Sequence, residues 1–183
     1  MKSLPLIIFA ITALAQWAVP LSQIWTYEGV LTKGTLIRVK CAAPDPYDPL
    51  RGRYLAVRPE QTNVPLPEGM EAPEEQMGYV SLTTGADGLA TLSSLSFTKP
   101  ASGDYLHVRV HSSYDKQASI DWPFERYYLN EELAPEADEW FAENIRNTKG
   151  IIAEVKVLNG KAVLADLTLD GKPFREILKD RVK

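Results

Sequence analysis

Beyond residue 29, hydrophobic residues recur mainly at every second position, which is the period of a strand with one buried face. In residues 35–41, Ile37, Val39 and Cys41 fall on one face and charged residues fall on the other. The same alternation occurs in residues 54–58, 78–84, 89–97 and 102–111. The pattern predicts a domain built mainly from half-buried strands.

Short turn signals separate several of these runs. Asp87-Gly88 lies between two runs and predicts a β-hairpin, because both residue types accept the positive φ of a tight turn. Asn159-Gly160 and Asp170-Gly171 divide residues 151–178 into three alternating runs, which predicts an antiparallel meander. Residues 59–76 are rich in proline and glutamate and are predicted to form a surface loop.

One segment, residues 135–147, has the period of a helix instead. Ala137, Trp140, Phe141 and Ile145 fall on one stripe, and acidic residues cluster in the first turn. The predicted fold class is therefore mainly β, or β-rich α+β: an antiparallel sheet or barrel-like domain with one short amphipathic helix, preceded by an N-terminal transmembrane helix.

The N-terminal segment has no charged residue between Lys2 and Glu28. A helix over residues 4–25 would be about 33 Å long, enough to cross a hydrocarbon core of roughly 30 Å. The predicted membrane anchor occupies residues 1–28, with Leu4 near its start and the aromatic residues Trp17 and Trp25 along it. A secretory signal cleaved after Ala15 is the alternative. In both cases residues 29–183 form an extracytoplasmic, periplasmic domain, because the positive amino terminus favours the cytoplasmic side.

The composition of the chain mainly excludes classes of function. The formal net charge of the 183-residue chain is -4 and no basic stripe is present, so the sequence does not predict nucleic-acid binding. Cys41 is the single cysteine, which excludes an internal disulfide. His107 and His111 would lie about 13 Å apart along one strand, too far to share a metal ion, and no metal site or cofactor is expected.

Residues 44–58 concentrate proline, acids and arginines. Asp45 and Asp48 are candidate carboxylates for acid–base chemistry or metal binding, but Asp-Pro pairs also build turns. The favoured interpretation is a structural elbow that leads into a strand, in which nearby arginines neutralise the acids. The elbow residues are Asp45, Asp48, Arg51, Gly52, Arg53 and Tyr54.

Residues 123–128 form the second candidate. Aromatic and charged residues are adjacent here, and arginine and tyrosine are typical of protein–protein hot spots. The alternative is a simple connection with an internal Glu125–Arg126 ion pair. The candidate interaction surface consists of Phe124, Glu125, Arg126, Tyr127 and Tyr128.

These segments resemble the GDYXXLXY family of membrane-anchored bacterial proteins. The resemblance rests on the apolar N-terminus, APDPYDPLRGRYLAV at 43–57, YVSLTTGADGLA at 79–90, PFERYYLNEELAPEA at 123–137 and the closing meander. The family's Gly-Asp-Tyr corresponds to Gly52-Arg53-Tyr54, so Arg53 replaces the motif's aspartate. Gly103-Asp104-Tyr105 matches the letters better, but the flanking PYDPLR identifies Gly52 as the counterpart.

The resemblance implies a small anchored protein of a kind often encoded beside polytopic membrane proteins of unknown function, with no reaction attached. The sequence favours a non-catalytic interaction or accessory subunit of a membrane protein complex. The first alternative is a cell-envelope enzyme that uses Asp45, Asp48 and Glu125. The second is a soluble periplasmic ligand-binding module released by cleavage at Ala15. No complete catalytic motif is present.

Overall fold

The protein was analysed as a computed structural model that describes residues 4–42, 54–70, 75–112, 116–130 and 150–181, together with 133, 136, 137, 139, 140 and 143. A long helix α1 (Leu4–Lys33) comes first and a short helix α2 (Phe174–Arg181) comes last among these residues. The strands between them are β1 (Thr35–Ala42), β2 (Tyr54–Ala56), β3 (Arg58–Pro59), β4 (Asn63–Pro65), β5 (Glu75–Thr84), β6 (Ala90–Ser96), β7 (Tyr105–Ser112), β8 (Gln117–Ile120), β9 (Arg126–Tyr128), β10 (Ile151–Leu158), β11 (Lys161–Leu169) and β12 (Lys172–Pro173).

The strands form two antiparallel five-stranded sheets and one small pair. The first sheet has the order β12-β11-β10-β1-β3, the second has the order β4-β8-β7-β5-β6, and β2 pairs with β9. One hydrophobic cluster draws buried residues from both large sheets. The predicted fold class is confirmed, because the described part of the chain is mostly antiparallel β with an N-terminal helix.

Alternation within the strands follows the prediction closely. Ile37, Val39 and Cys41 of β1 are 3 to 5% exposed, whereas Arg38 and Lys40 between them face the solvent. The predicted hairpin at Asp87-Gly88 joins β5 to β6. Burial of one apolar face per strand therefore explains most of the sheet structure.

The second sheet is nearly closed into a barrel by one side chain. Its end strands β4 and β6 lie next to each other. Just before β4, the amide of Gln61 donates from Nε2 to the carbonyl of Leu92 at 3.0 Å and accepts from the Leu92 N–H at 2.8 Å. A side-chain amide thus makes the pair of bonds that a neighbouring strand would make. The surface loop predicted over 59–76 is wrong in part: residue 59 ends β3, residues 63–65 form β4 with Val64 fully buried, and residues 75–76 begin β5.

The two large sheets meet at the turn between β10 and β11. The carbonyl of Gly160 accepts a hydrogen bond from the N–H of His107 in β7 at 2.8 Å. Gly160 has a φ of +81°. A Cβ there would lie 2.8 Å from Tyr105 Cε2 and 2.9 Å from His107 Cβ, so the turn and β7 approach too closely for any side chain.

The C-terminal meander is confirmed, but its third strand is short. β12 has two residues, and α2 follows at once with Phe174 and Leu178 fully buried on one face. Phe174 also contacts Trp140, with ring centroids 5.7 Å apart.

Within the helix predicted over 135–147, the described residues 136, 137, 139, 140 and 143 are helical, and Ala137 is fully buried. Phe141 and Ile145 lie outside the described residues.

Helix α1 divides into an exposed part and a part packed on the domain. Large apolar side chains from Ile7 to Trp25 are exposed, Thr26 is half-buried, and Val30 is only 2% exposed. The hydroxyls of Thr12 and Ser22 donate to backbone carbonyls of the same helix, so these polar groups are hydrogen-bonded within α1 itself. One helix in the described residues is long and apolar enough to cross a membrane, and this is α1.

Helix α1 passes into β1 through a single residue, Gly34. The Gly34 N–H donates to the Val30 carbonyl at 2.8 Å, and its own carbonyl accepts from Lys156 Nζ at 3.3 Å. A Cβ on Gly34 would lie 2.4 Å from the Val30 carbonyl oxygen and 3.0 Å from that of Val157. The helix is therefore joined to the sheet by close backbone packing rather than by a linker.

Candidate functional site

An open groove of about 560 Å³ lies beside the last turns of α1. It is lined by Tyr27 of α1, by residues 122–126 and Tyr128 before and within β9, and by residues 162–164 of β11. We call it the α1 groove. It is the place where the helix, the small strand pair and the first sheet come together.

The wall formed by residues 122–126 is held by hydrogen bonds and ring contacts. The Trp122 indole donates from Nε1 to the carbonyl of Gln61 at 2.8 Å. The Phe124 ring packs against Trp122 with centroids 5.4 Å apart. The carbonyl of Glu125 accepts from the N–H of Val57 at 2.8 Å, at the point where the chain leaves β2 and enters the first sheet as β3. The wall is thus pre-formed by the fold.

The predicted interaction surface is divided between the interior and the solvent. Phe124 and Tyr127 are 8% and 3% exposed, so they pack inside. Glu125 and Arg126 are exposed, and the side chain of Tyr128 is 68% exposed. These three exposed residues, Glu125, Arg126 and Tyr128, all line the groove.

Tyr127 connects β9 to β11 and α2. Its hydroxyl donates to Asp166 Oδ1 at 2.6 Å and accepts from Arg175 Nε at 2.8 Å, while the Arg175 guanidinium lies 5.7 Å from the ring centroid. Burial, reinforced by the Asp166 carboxylate, raises the pKa of Tyr127 to about 12. The hydrogen bond to Tyr127 in turn raises the pKa of Arg175. Tyr127 therefore fixes the position of β9, and with it the exposed residues on either side.

Replacing Tyr127 by phenylalanine is expected to lower the free energy of unfolding by about 1–2 kcal/mol, because Asp166 and Arg175 lose their shared partner. The test is chemical unfolding of the full chain in detergent, with tryptophan fluorescence as the measure of the unfolded fraction. Tyr128→Phe is the matched control, since that ring is largely exposed and its loss of a hydroxyl should cost less than about 0.5 kcal/mol. Equal stability of Tyr127→Phe and the wild type would contradict the role assigned to the Tyr127 hydroxyl.

Most of the predicted elbow falls outside the described residues. This applies to Asp45, Asp48, Arg51, Gly52 and Arg53. The backbone of Tyr54 begins β2 and pairs with Tyr128 of β9, so the elbow leads directly into the strand beside the groove. The predicted roles of these residues remain predictions.

Other candidate chemistry is dispersed over the described residues. His111 Nε2 lies 2.9 Å from Asp121 Oδ2, whereas His107 stacks on Tyr79 with centroids 4.5 Å apart. The described part of the chain contains no group of three or more His, Cys, Asp or Glu residues arranged to hold a metal ion. Cys41 is buried in the core, and burial raises the pKa of its thiol to about 12, which makes it a poor nucleophile.

The predicted anchor residues all belong to α1. The helix begins at Leu4 and continues past residue 28 to Lys33. Trp17 and Trp25 are 67% and 75% exposed, as expected of side chains that face lipid. α1 is thus a possible membrane anchor.

Sequence reasoning missed the β11 side of the groove. Residues 162–164 carry no local signal, because only the sheet topology brings them opposite residues 122–126. Trp122 and Pro123 directly precede the predicted interaction surface, and a buried tryptophan with one polar atom is a recognisable signal. Tyr27 stands out as an aromatic residue just beyond the apolar stretch.

The fold and the groove define a class of protein: a β-rich domain joined without a linker to an N-terminal apolar helix that is long enough to cross a membrane. The chain belongs to the GDYXXLXY protein family, whose model matches residues 16–167. The matched range contains the second half of α1, both walls of the α1 groove and most of the two sheets. No curated protein and no solved structure matches the chain.

Proposed function

We propose that this protein is an accessory subunit that α1 anchors in the membrane and that binds a polytopic membrane protein on the extracytoplasmic side. The observation that carries the proposal is the junction at Gly34, which holds the domain directly at the end of the apolar helix. A domain held in this way stays within reach of loops that a neighbouring membrane protein exposes at the bilayer surface.

The contact surface that we assign is the exposed rim of the α1 groove, Arg126 and Tyr128. Tyr128 combines a large exposed ring with a polar tip, which suits a wet interface. Tyr127 and its partners hold β9 in place, so binding would not require this strand to become ordered first. The extracytoplasmic placement is supported by the positive charge of Lys2 and the amino terminus ahead of the apolar segment.

Purification of the tagged full chain from its native membrane in mild detergent tests the proposal. We expect a polytopic membrane protein to accompany the wild type in a fixed ratio, and we expect the ratio to fall at least several-fold for Tyr128→Ala and Arg126→Ala. Lys172→Ala is the matched control, because Lys172 is exposed on β12, which pairs with the end of β11 far from the groove-lining residues 162–164. Its ratio should equal that of the wild type.

Two results would count against the accessory role. One is recovery of the wild-type chain alone at its native abundance. The other is retention of the same companion by all variants, which would place the contact elsewhere on the protein.

A further inference from the structure

The length of the exposed part of α1 fixes the level of the groove relative to a bilayer. Residues 4–25 of α1 span about 33 Å as a helix, which matches a hydrocarbon core of roughly 30 Å, and the large apolar side chains named as exposed in this stretch run from Ile7 to Trp25. Just beyond it, Thr26 is half-buried, Tyr27 lines the groove and Val30 is buried, so α1 meets the domain from about this point onward. The domain therefore starts at the level where the hydrocarbon ends.

Tyr27, which lines the groove, lies only two residues beyond this boundary. At a rise of 1.5 Å per residue that is about 3 Å, whereas the headgroup layer on each side of the core is about 5–8 Å thick. The groove thus opens within the headgroup layer. Because Gly34 leaves no room for a linker, the domain cannot lift the groove away from that layer without breaking the packing of α1 on β10 and β11.

The chemistry of the groove suits that layer. Trp122 and Phe124 on one wall and Val163 and Leu164 on the other present apolar surface. Aromatic side chains with polar tips, such as Tyr128, are characteristic of membrane interfaces. The apolar lining is continuous with the exposed apolar surface of α1 through Tyr27.

Charges of both signs lie at the groove. The ammonium of Lys161 is 5.9 Å from the centroid of the Tyr27 ring, and Glu125 and Arg126 both line the groove. A phosphate can pair with the lysine and a headgroup amine or trimethylammonium with the carboxylate or with the faces of the aromatic rings. A zwitterionic headgroup can pair with both the cations and Glu125, whereas a purely anionic one leaves the Glu125 carboxylate beside like charge.

We propose that the α1 groove is a lipid site that receives a zwitterionic phospholipid from the leaflet on the domain's side. The lipid's glycerol region and the first part of its chains contact the apolar walls, and its headgroup lies between Lys161 and Glu125. The domain then rests on the bilayer through this contact as well as through α1. The proposal shares with the proposed function the premise that α1 crosses the bilayer, but it does not require a protein partner.

Site-directed spin labelling of the full chain in phosphatidylcholine vesicles tests the lipid site. Labels are placed at Tyr128→Cys and Val163→Cys in the groove, at Leu14→Cys in the exposed part of α1, and at Lys172→Cys as the control. Lys172 pairs with Leu169, about 26 Å along β11 from Lys161. Cys41 is buried, so the wild type takes up no label and supplies the blank.

Accessibility to oxygen, which concentrates in lipid, is compared with accessibility to a water-soluble nickel reagent. We expect the ratio of the two to be several-fold higher at residues 128 and 163 than at 172, with residue 14 higher still. Vesicles of phosphatidylglycerol should lower the ratio at the two groove positions. Val163→Cys and Tyr128→Cys lie on different walls, so misfolding of one variant leaves the other as a test.

The lipid site is wrong if the oxygen-to-nickel accessibility ratio is water-like at both groove positions, or if the labels there are shielded from both reagents. If the ratio at residue 14 is high in the same experiment, the membrane anchor is unaffected by that result. A water-like residue 14 would overturn the lipid site and the proposed function together. An equal or higher ratio in phosphatidylglycerol would overturn the preference for a zwitterionic headgroup. Loss of a companion protein in the purification test alone would remove only the accessory role.

Discussion

Gly160→Ala is expected to lower the free energy of unfolding by about 3 kcal/mol, which combines two separate costs. A φ of +81° strains any residue with a Cβ, at about 1–2 kcal/mol. The new methyl group would also collide with Tyr105 and His107, and forcing a side chain into packed surroundings costs about 1–3 kcal/mol. Because Gly160 joins the two large sheets, the loss should appear in the cooperative unfolding of the whole domain.

Gly171→Ala separates the two costs. Gly171 has almost the same φ, +83°, in the turn between β11 and β12, but a Cβ there would meet nothing within 4 Å. We expect this variant to lose only the backbone cost of about 1–2 kcal/mol. Denaturant unfolding of both variants in detergent gives the comparison, and equal losses would mean that the contact between the turn and β7 contributes nothing.

Alkaline pH is expected to remove about 4 kcal/mol of stability through Cys41 alone. Burial raises the pKa of this thiol from 9.0 to about 12 in the folded protein. The unfolded chain therefore loses the thiol proton above pH 9, while the folded chain keeps it until pH 12. The stabilisation is fully present below pH 9 and is lost as the pH rises to 12, at about 1.4 kcal/mol per pH unit. Tyr127 acts in the same direction between pH 10 and 12.

Cys41→Ala, which has no ionisable group at this position, is the control for the alkaline effect. The variant should be less stable than the wild type at pH 8, because a buried side chain is shortened. The difference between the two should shrink steadily between pH 9 and 11, as the wild type loses the stabilisation of its neutral thiol. A difference that stays constant over this range would contradict the assignment, whatever the absolute stabilities are.

Local patterns predicted those parts of the fold whose cause is local. The alternation in β1 and the two Asx-Gly turns of the meander reflect the period of a half-buried strand and the positive φ of tight turns, and both act over a few residues. The fold class and the apolar helix followed from the same patterns. The short β4 was missed, because three residues among prolines carry no alternation and the strand depends on pairing with β8.

The sequence did not predict the features that depend on contacts between residues far apart along the chain. Gln61 resembles any loop glutamine, and only the folded chain brings it opposite Leu92 to close the second sheet. Within the candidate interaction surface, residue types singled out the segment but did not tell which side chains face outward. Tyr127 is buried by Asp166 and Arg175, which lie 39 and 48 residues further along the chain.

The junction at Gly34 makes α1 and the domain move together. A helix that crosses a bilayer tilts or straightens when the thickness of the hydrocarbon changes or when a neighbouring helix packs against it. With no flexible segment between Lys33 and β1, each such tilt becomes a rotation of the entire sheet system about the foot of the helix. Where α1 crosses a bilayer in this way, the far end of the domain, near the turn between β11 and β12, moves through the widest arc.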